Sequence, residues 1–203
     1  MIRFIGKLPM RCVVAFSGGI DSVAVADFLL AGRRDVTLAF FHHGTDASSA
    51  GEEFSRTFAK ERGVDLVVGS ISSFRSKRSG ESHEEYWREA RYDFLDCFSD
   101  PVITAHHLDD AVETWIFSSL HGEGKVIPYR RGGVIRPFLV TPKSDLTDWC
   151  SRRGLAWVED PSNGDPRFMR NLIRRDIVPH ALRVNPGIRT VIRKKYLEFP
   201  PTM

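Results

Sequence analysis

Short apolar runs alternate with longer amphipathic stretches through most of the chain. Cys12 to Phe16 is apolar over strand length and breaks at Ser17-Gly18-Gly19. Val23 to Leu30 follows, apolar and helix-compatible, and gives way at Arg33-Arg34-Asp35. Val36 to Phe41 reads as a second buried strand, closed by His42-His43-Gly44. Phe54, Phe58 and Ala59 recur at helical spacing ahead of Gly63, a natural stop. Asp65 to Ile71 reads as a third strand, Ser72 to Ser82 as a polar loop, and Glu84 to Phe98 as a helix. Pro101 to Ala105 is a fourth short strand and Leu108 to Leu120 another helix. Alternation of this kind implies right-handed crossovers and an α/β fold with a doubly wound, mainly parallel, Rossmann-like sheet.

The pattern changes beyond Leu120. His121 to Gly124 opens a glycine-containing loop, and Tyr129 to Gly133 is basic with the composition of a flexible segment. Val134 to Val140 is a short apolar piece, Lys143 to Gly154 predicts a helix, and Asp160 to Pro166 is a turn-rich linker before further basic helices. A first domain over residues 1–125 and a small basic helical extension over 126–203 are expected, with the break inside Gly122 to Val134.

Composition narrows the class. The 203 residues are 42% hydrophobic and 27% charged, ordinary for a soluble protein with a real core. No apolar run reaches membrane-spanning length, and Met1 to Met10 lacks the apolar stretch of a signal peptide. Cys12, Cys97 and Cys150 are scattered and odd in number, with no CxxC, so neither a disulfide framework nor a zinc site is suggested. A cytoplasmic location is expected. Net charge is only +3, yet arginines and lysines crowd the chain after Pro166. Such an end suits a polyanion, RNA or DNA, or is simply a solvated helix face.

Ser17-Gly18-Gly19-Ile20-Asp21-Ser22 carries the first candidate chemistry. It lies between a strand and a helix, so its freed backbone N–H groups and the helix N-terminus can face a phosphate. Asp21 would repel phosphate and reads as a ligand for Mg2+ carried by a nucleotide. The spacing matches neither GxxxxGK[ST] nor GxGxxG. His43, at the end of the second strand, lies where a parallel sheet places a ligand. His106-His107-Leu108-Asp109-Asp110-Ala111-Val112-Glu113-Thr114 forms a second group. Asp110 and Glu113 share a helix face and can hold an ammonium group or a metal. Asp109 can be accounted for as a helix-capping acid alone. Glu84, Arg88 and Arg91 are spaced as a surface ion-pair ladder, or as a guanidinium fork for a carboxylate or phosphate. The last group runs from Trp157 through Glu159-Asp160-Pro161-Ser162-Asn163 to Arg170-Asn171-Leu172-Ile173-Arg174. It puts arginine and asparagine donors beside a polar loop able to contact an RNA backbone. Arg170 and Arg174, four apart, are expected to share the RNA face, with Arg175 turned aside.

These motifs, in this order and over nearly the whole chain, resemble tRNA(Ile)-lysidine synthase, a family of ATP pyrophosphatases with a pyrophosphate (PP) loop. SGGxDS is shared widely among such enzymes, whereas HHLDDxxET with EDPSN and RNxIR is narrower. Ile135-Arg136-Pro137 fits the family's I-R-P segment. The resemblance implies ATP and Mg2+ as cofactors, and free L-lysine and an isoleucine tRNA with a CAU anticodon as partners. Lysine would be joined to the first anticodon cytidine through an adenylated intermediate. It further implies ATP at Ser17 to Ser22 and His43, and lysine at Arg88, Asp110 and Glu113. RNA would lie at Arg136, Asn163, Arg170, Asn171 and Arg174. Asp21, His106, His107, Asp110 and Glu113 are the candidate catalytic group, with a nearby histidine or carboxylate able to accept the amine's proton. Two departures stand out: Trp87 precedes Arg88 where a small residue is usual, and Thr45-Asp46 replaces Leu-Arg. The family's C-terminal domains are missing, which leaves a minimal enzyme, or a homo-oligomer or protein partner supplying their grip. Another adenylating RNA-modifying enzyme, or a non-catalytic RNA-binding homologue, is the alternative.

Overall fold

In the computed structural model residues 1–159 and 169–198 are described. The elements run β1 (Arg11–Ala15), α1 (Ile20–Ala31), β2 (Asp35–His42), α2 (Asp46–Arg62), β3 (Leu66–Ser70) and α3 (His83–Leu95). Then come β4 (Val102–Ile103), α4 (Leu108–Leu120), β5 (Arg130–Arg131), β6 (Val134–Ile135) and α5 (Lys143–Arg152). The last helical stretch is α6 (Met169–Leu172), a wide π turn (Ile173–Ile177) and α7 (Val178–Val184), followed by α8 (Ile188–Glu198). One sheet is ordered β3-β2-β1-β4-β6-β5. All neighbours pair in parallel except β5, which forms an antiparallel hairpin with β6. This is the α/β, mainly parallel sheet that the alternating pattern predicts.

The sheet is covered on both sides, which explains the near-continuous apolar strands. Side chains alternate across it. Cys12, Val14, Val36, Leu38, Ile103 and Ile135 enter one core, packed with α1, Phe58 of α2, and Leu146 and Cys150 of α5. Val13, Ala39, Phe41, Val102 and Val134 enter the other, under Ala90, Tyr92, Phe94 and Leu95 of α3. A third cluster joins Leu108, Ala111, Val112 and Ile116 of α4 to Ile188, Ile192 and Tyr196 of α8. The last helix thereby braces α4.

Two features differ from the sequence expectation. Tyr129 to Gly133 is not a loose segment but includes β5 of the hairpin, with Gly132 at φ +57° making the turn. The division near residue 125 also does not coincide with a break in the packing. Ile135, Phe138, Leu146, Cys150 and Leu155 lie in the same core as Val14 and Val23. Periodicity could not reveal this, because a two-residue strand has no period to read.

β1 is the point where the strand order reverses: β2 and β3 extend from one side, β4 and β6 from the other. The loops leaving the carboxyl ends of β1 and β4 open into one crevice, the usual ligand position in open parallel sheets.

Candidate active site

The loop after β1 is held from within. Ser22, itself buried, donates from Oγ to the Gly19 carbonyl at 2.8 Å and accepts the Ser17 N–H at 3.2 Å. Ser22 Oγ therefore knits the turn, whereas Ser17 is exposed at its rim. Gly18 has φ +78°, and a Cβ there would stand 3.1 Å from the Phe54 ring. The Val158 N–H donates to the Gly18 carbonyl at 2.9 Å, which ties the segment after Trp157 to the loop. Gly19 is the N-cap of α1 and offers no side-chain cap. The first N–H groups of a twelve-residue helix are left for an anion, with the helix dipole in its favour.

The turn after β4 meets this loop. His107 is the N-cap of α4 and forms a reciprocal capping box with Asp110. The Asp110 N–H donates to His107 Nδ1 at 3.3 Å, and the His107 N–H donates to Asp110 Oδ2 at 3.0 Å. An accepting Nδ1 leaves the proton of the neutral ring on Nε2, which lies 3.6 Å from Asp21 Oδ2. Burial works against charge on His107, but Asp110, Asp21 and Asp109 outweigh it and raise its pKa. His106 is the opposite case. Burial, reinforced by Arg136, Arg91 and Arg170 against the pull of Asp110, pushes its pKa down to about 3. Its Nδ1 pairs with Thr104 Oγ1 at 2.7 Å. Burial, which disfavours the charged form here too, tends to raise the Asp110 pKa, yet the two histidines and the His107 N–H hold it below the usual carboxylate range.

Cations from later in the chain meet the acids of this site. Lys143 Nζ lies 3.7 Å from Asp21 Oδ2. Asp109 does not cap its own helix. It accepts the Lys143 N–H at 2.7 Å, at the start of α5, and pairs with Arg189 Nη2 at 2.7 Å. Glu113 is only 4% exposed and takes a two-pronged contact from Arg174, Nε–Oε1 2.7 Å and Nη2–Oε2 2.9 Å. Asp109, Lys143 and Arg189 were not singled out from sequence beyond Asp109 as a cap. Their partners lie 34 and 80 residues away, so no local spacing announces them.

Asp21, His107, Asp110 and Glu113 thus come together near the loop, with His106 beside them. Arg88 lies 6.0 Å from the Tyr92 ring in α3, alongside Arg91 at 5.8 Å. His43 sits against Phe41 and Trp87, with ring centroids 5.0 and 5.7 Å away. The unusual Trp87 is therefore a packing partner for that histidine. Thr45 is the N-cap of α2 and accepts the Ser48 N–H, so the Thr45-Asp46 departure starts a helix. Arg136, expected at an RNA surface, is 3% exposed and instead donates to the Pro128 carbonyl and the Tyr92 hydroxyl. Arg170 and Arg174 do share a face, but it is turned to α4, where Arg170 reaches Thr114 Oγ1 at 3.4 Å. Arg175 pairs with its neighbour Asp176. Asn171 has partners in the fold, and Asn163 lies outside the described residues.

A self-braced glycine turn at an uncapped helix start, placed at the switch point of a parallel sheet, defines a nucleotide-phosphate-binding α/β protein. The PP-loop domain family matches residues 4–181, and the chain belongs to it. It is 37% identical over 191 residues to the tRNA(Ile)-lysidine synthase of Methylococcus capsulatus, covering 86% of this chain and 43% of that protein. With the Geobacter sulfurreducens protein of the same name, identity is 35% over 194 residues, covering 87% and 41%. The chain spans less than half the length of these curated relatives. Among solved structures it resembles the U34-tRNA thiolase NcsA of Methanococcus maripaludis, with a TM-score of 0.76 at 16% identity, covering 97% of this chain and 74% of that one. The NH3-dependent NAD synthetase of Campylobacter jejuni gives 0.52 at 14%, covering 97% and 89%. At these identities the two structures speak to fold alone.

Proposed function

We propose that the chain is an ATP-dependent tRNA-modifying ligase that joins lysine to the first anticodon cytidine of an isoleucine tRNA. The observation that carries this reading is the meeting of Asp21, His107, Asp110 and Glu113 beside the phosphate loop. The similarity to named lysidine synthases supports it. In the proposed reaction the cytidine 2-carbonyl oxygen attacks the ATP α-phosphate and pyrophosphate leaves. The lysine ε-amine then attacks the activated carbon, AMP departs, and the amine loses its proton.

The chain's own residues divide this work. The loop N–H groups and the start of α1 hold phosphate oxygens. Asp110 and Glu113 hold the lysine α-ammonium, and Arg88 its carboxylate. His107 is the more basic of the two histidines, with Nδ1 accepting the Asp110 N–H and Nε2 facing Asp21. His106 stays neutral and weakly basic. A histidine or a neighbouring carboxylate takes the amine's proton. Mg2+ suits Asp21: Oδ1 is buried and has no hydrogen-bond partner, and no three-ligand protein cage exists among the described residues. Asp21 would therefore share the ion with the nucleotide's phosphates. Bound there, Mg2+ would neutralise charge on the departing pyrophosphate.

Incubation with ATP, labelled lysine and total tRNA, followed by sequencing of the labelled RNA, tests the proposal. Label at the first anticodon position of the isoleucine tRNA is expected. RNA-dependent pyrophosphate exchange without lysine transfer would point to another adenylating RNA enzyme. No exchange at all would point to a non-catalytic RNA-binding homologue. A thiolase using paired cysteines is disfavoured, since Cys12 and Cys150 are buried on β1 and α5 while Cys97 is exposed beyond α3.

A further inference from the structure

Arg174 stands where the proposed reading needs a ligand. Its guanidinium spans Glu113 through two hydrogen bonds and lies 3.5 Å from Asp110 Oδ1. The carboxylates are the enclosed partners: the side chains of Glu113 and Asp110 are 4% and 15% exposed, that of Arg174 38%. The cation enters the site from outside, as a bound amine would. Two neighbouring carboxylates this enclosed favour a cation between them, so the subsite is open only for a small fraction of the time unless another cation takes the place of Arg174.

The backbone around Arg174 suits such an exchange. Arg174 lies in the π turn, with α-helix on either side. Wide turns inside helices are frequent at functional sites. Ile173 is the one fully buried residue of α6, the π turn and α7, and Ile177, Val178, Ala181 and Leu182 are half-buried against the same core. The exchange needs only the long Arg174 side chain, 38% exposed, to change rotamer while this packing stays as it is.

We infer that Arg174 is an exchangeable occupant of the ammonium subsite: an incoming α-ammonium group takes over Glu113 and Asp110, and the released guanidinium turns to an RNA phosphate. This rests on the proposed assignment of Asp110 and Glu113 to the lysine ammonium. A tethered competitor lowers apparent ligand affinity by the fraction of time it leaves the subsite open. RNA that draws Arg174 away removes this competition, so lysine and RNA bind with positive coupling, equal in both directions.

Calorimetric titration of lysine into the whole chain, with and without an anticodon stem-loop bearing CAU, tests the inference. The wild type should bind lysine more tightly when the stem-loop is present. Arg174→Ala should bind lysine about tenfold or more tightly than wild type without RNA, and gain little when RNA is added. With lysine present, its RNA affinity should fall, with the salt slope lessened by about 1. Arg174→Met, which keeps the aliphatic stem, should behave alike if the alanine variant folds poorly by circular dichroism. Lysine affinity equal to or weaker than wild type in both variants would overturn the exchange and make Arg174 a structural brace. Glu113→Gln examines the underlying reading separately: it should lose lysine binding whatever residue stands at 174. Unchanged lysine binding by Glu113→Gln, or no binding by any form, would overturn the subsite assignment and the exchange with it.

Discussion

Asp109→Ala tests whether Asp109 serves the fold or the proposed chemistry of the His-His-Leu-Asp-Asp turn. The Asp109 carboxylate caps α5, because Pro142 at its N-cap offers no side-chain acceptor and the Lys143 N–H instead donates to Asp109 Oδ2 at 2.7 Å. A lost side-chain cap costs about 0.5–2 kcal/mol. The pair with Arg189, whose side chain is 43% exposed, adds about 0.2–1 kcal/mol after solvent screening. Together about 1–3 kcal/mol should be lost, and a chain of this size should melt lower by roughly 2–4 °C per kcal/mol. Asp109→Asn keeps an acceptor oxygen and should lose about half as much. Urea denaturation and calorimetry measure the loss, and pyrophosphate exchange at 20 °C measures the folded enzyme. Exchange should survive within about tenfold, since α5 also packs on α1 through Leu146 and Cys150. Unchanged stability with abolished exchange would refute the capping role and make Asp109 a substrate-contacting acid.

Three further outcomes are expected. Gly18→Ala should strain a backbone at φ +78° and press on Phe54, costing about 1–2 kcal/mol and lowering ATP affinity; a variant with wild-type melting and ATP titration would contradict the loop geometry. Asp21→Ala should abolish pyrophosphate exchange while leaving stem-loop affinity unchanged, and exchange at the wild-type rate would remove Asp21 from the nucleotide site. At pH 8 iodoacetamide should label the exposed Cys97 in the native protein and spare Cys12 and Cys150, whose thiol pKa values burial raises to about 11; peptide mapping checks this. Because folding raises those two pKa values from 9.0, their contribution to stability is complete below about pH 9 and is lost as pH climbs towards 11.

The elements with a clear period were legible in the sequence. Leu108 to Leu120 is the helix expected, and the apolar runs before Ser17 and His42 are β1 and β2. The glycine turn before α1 was legible because its signal is local: two glycines, two serines and a helix start within six residues. β5 and β6 were not, since strands of two residues are defined by their pairing and carry no period of their own. Arg136 shows a second limit. An arginine beside a proline looks like a surface donor, and only the fold places Tyr92 and the Pro128 carbonyl around it.

The basic C-terminal part shows most clearly how a correct count can mislead. Its arginines and lysines suggested a broad polyanion surface. In the fold, Arg189 is matched to Asp109, Arg174 to Glu113 and Asp110, and Arg175 to Asp176. The acids of α4 and the bases of the extension face each other across the crevice, so much of the apparent excess is internal. Each phosphate contact contributes about 0.9 to the salt slope of duplex binding and about 0.7 for a single strand. A slope read from the charge count alone would therefore be too steep by about one contact for every arginine that stays paired. Lys194 and Lys195, both exposed on α8, keep their charge outward without an acidic partner among the described residues. They are better placed than Arg174 or Arg189 to meet an RNA backbone first. Arg174 can add to that contact only once something else neutralises Glu113, which makes the steepness of the salt dependence a function of whether the ammonium subsite is filled.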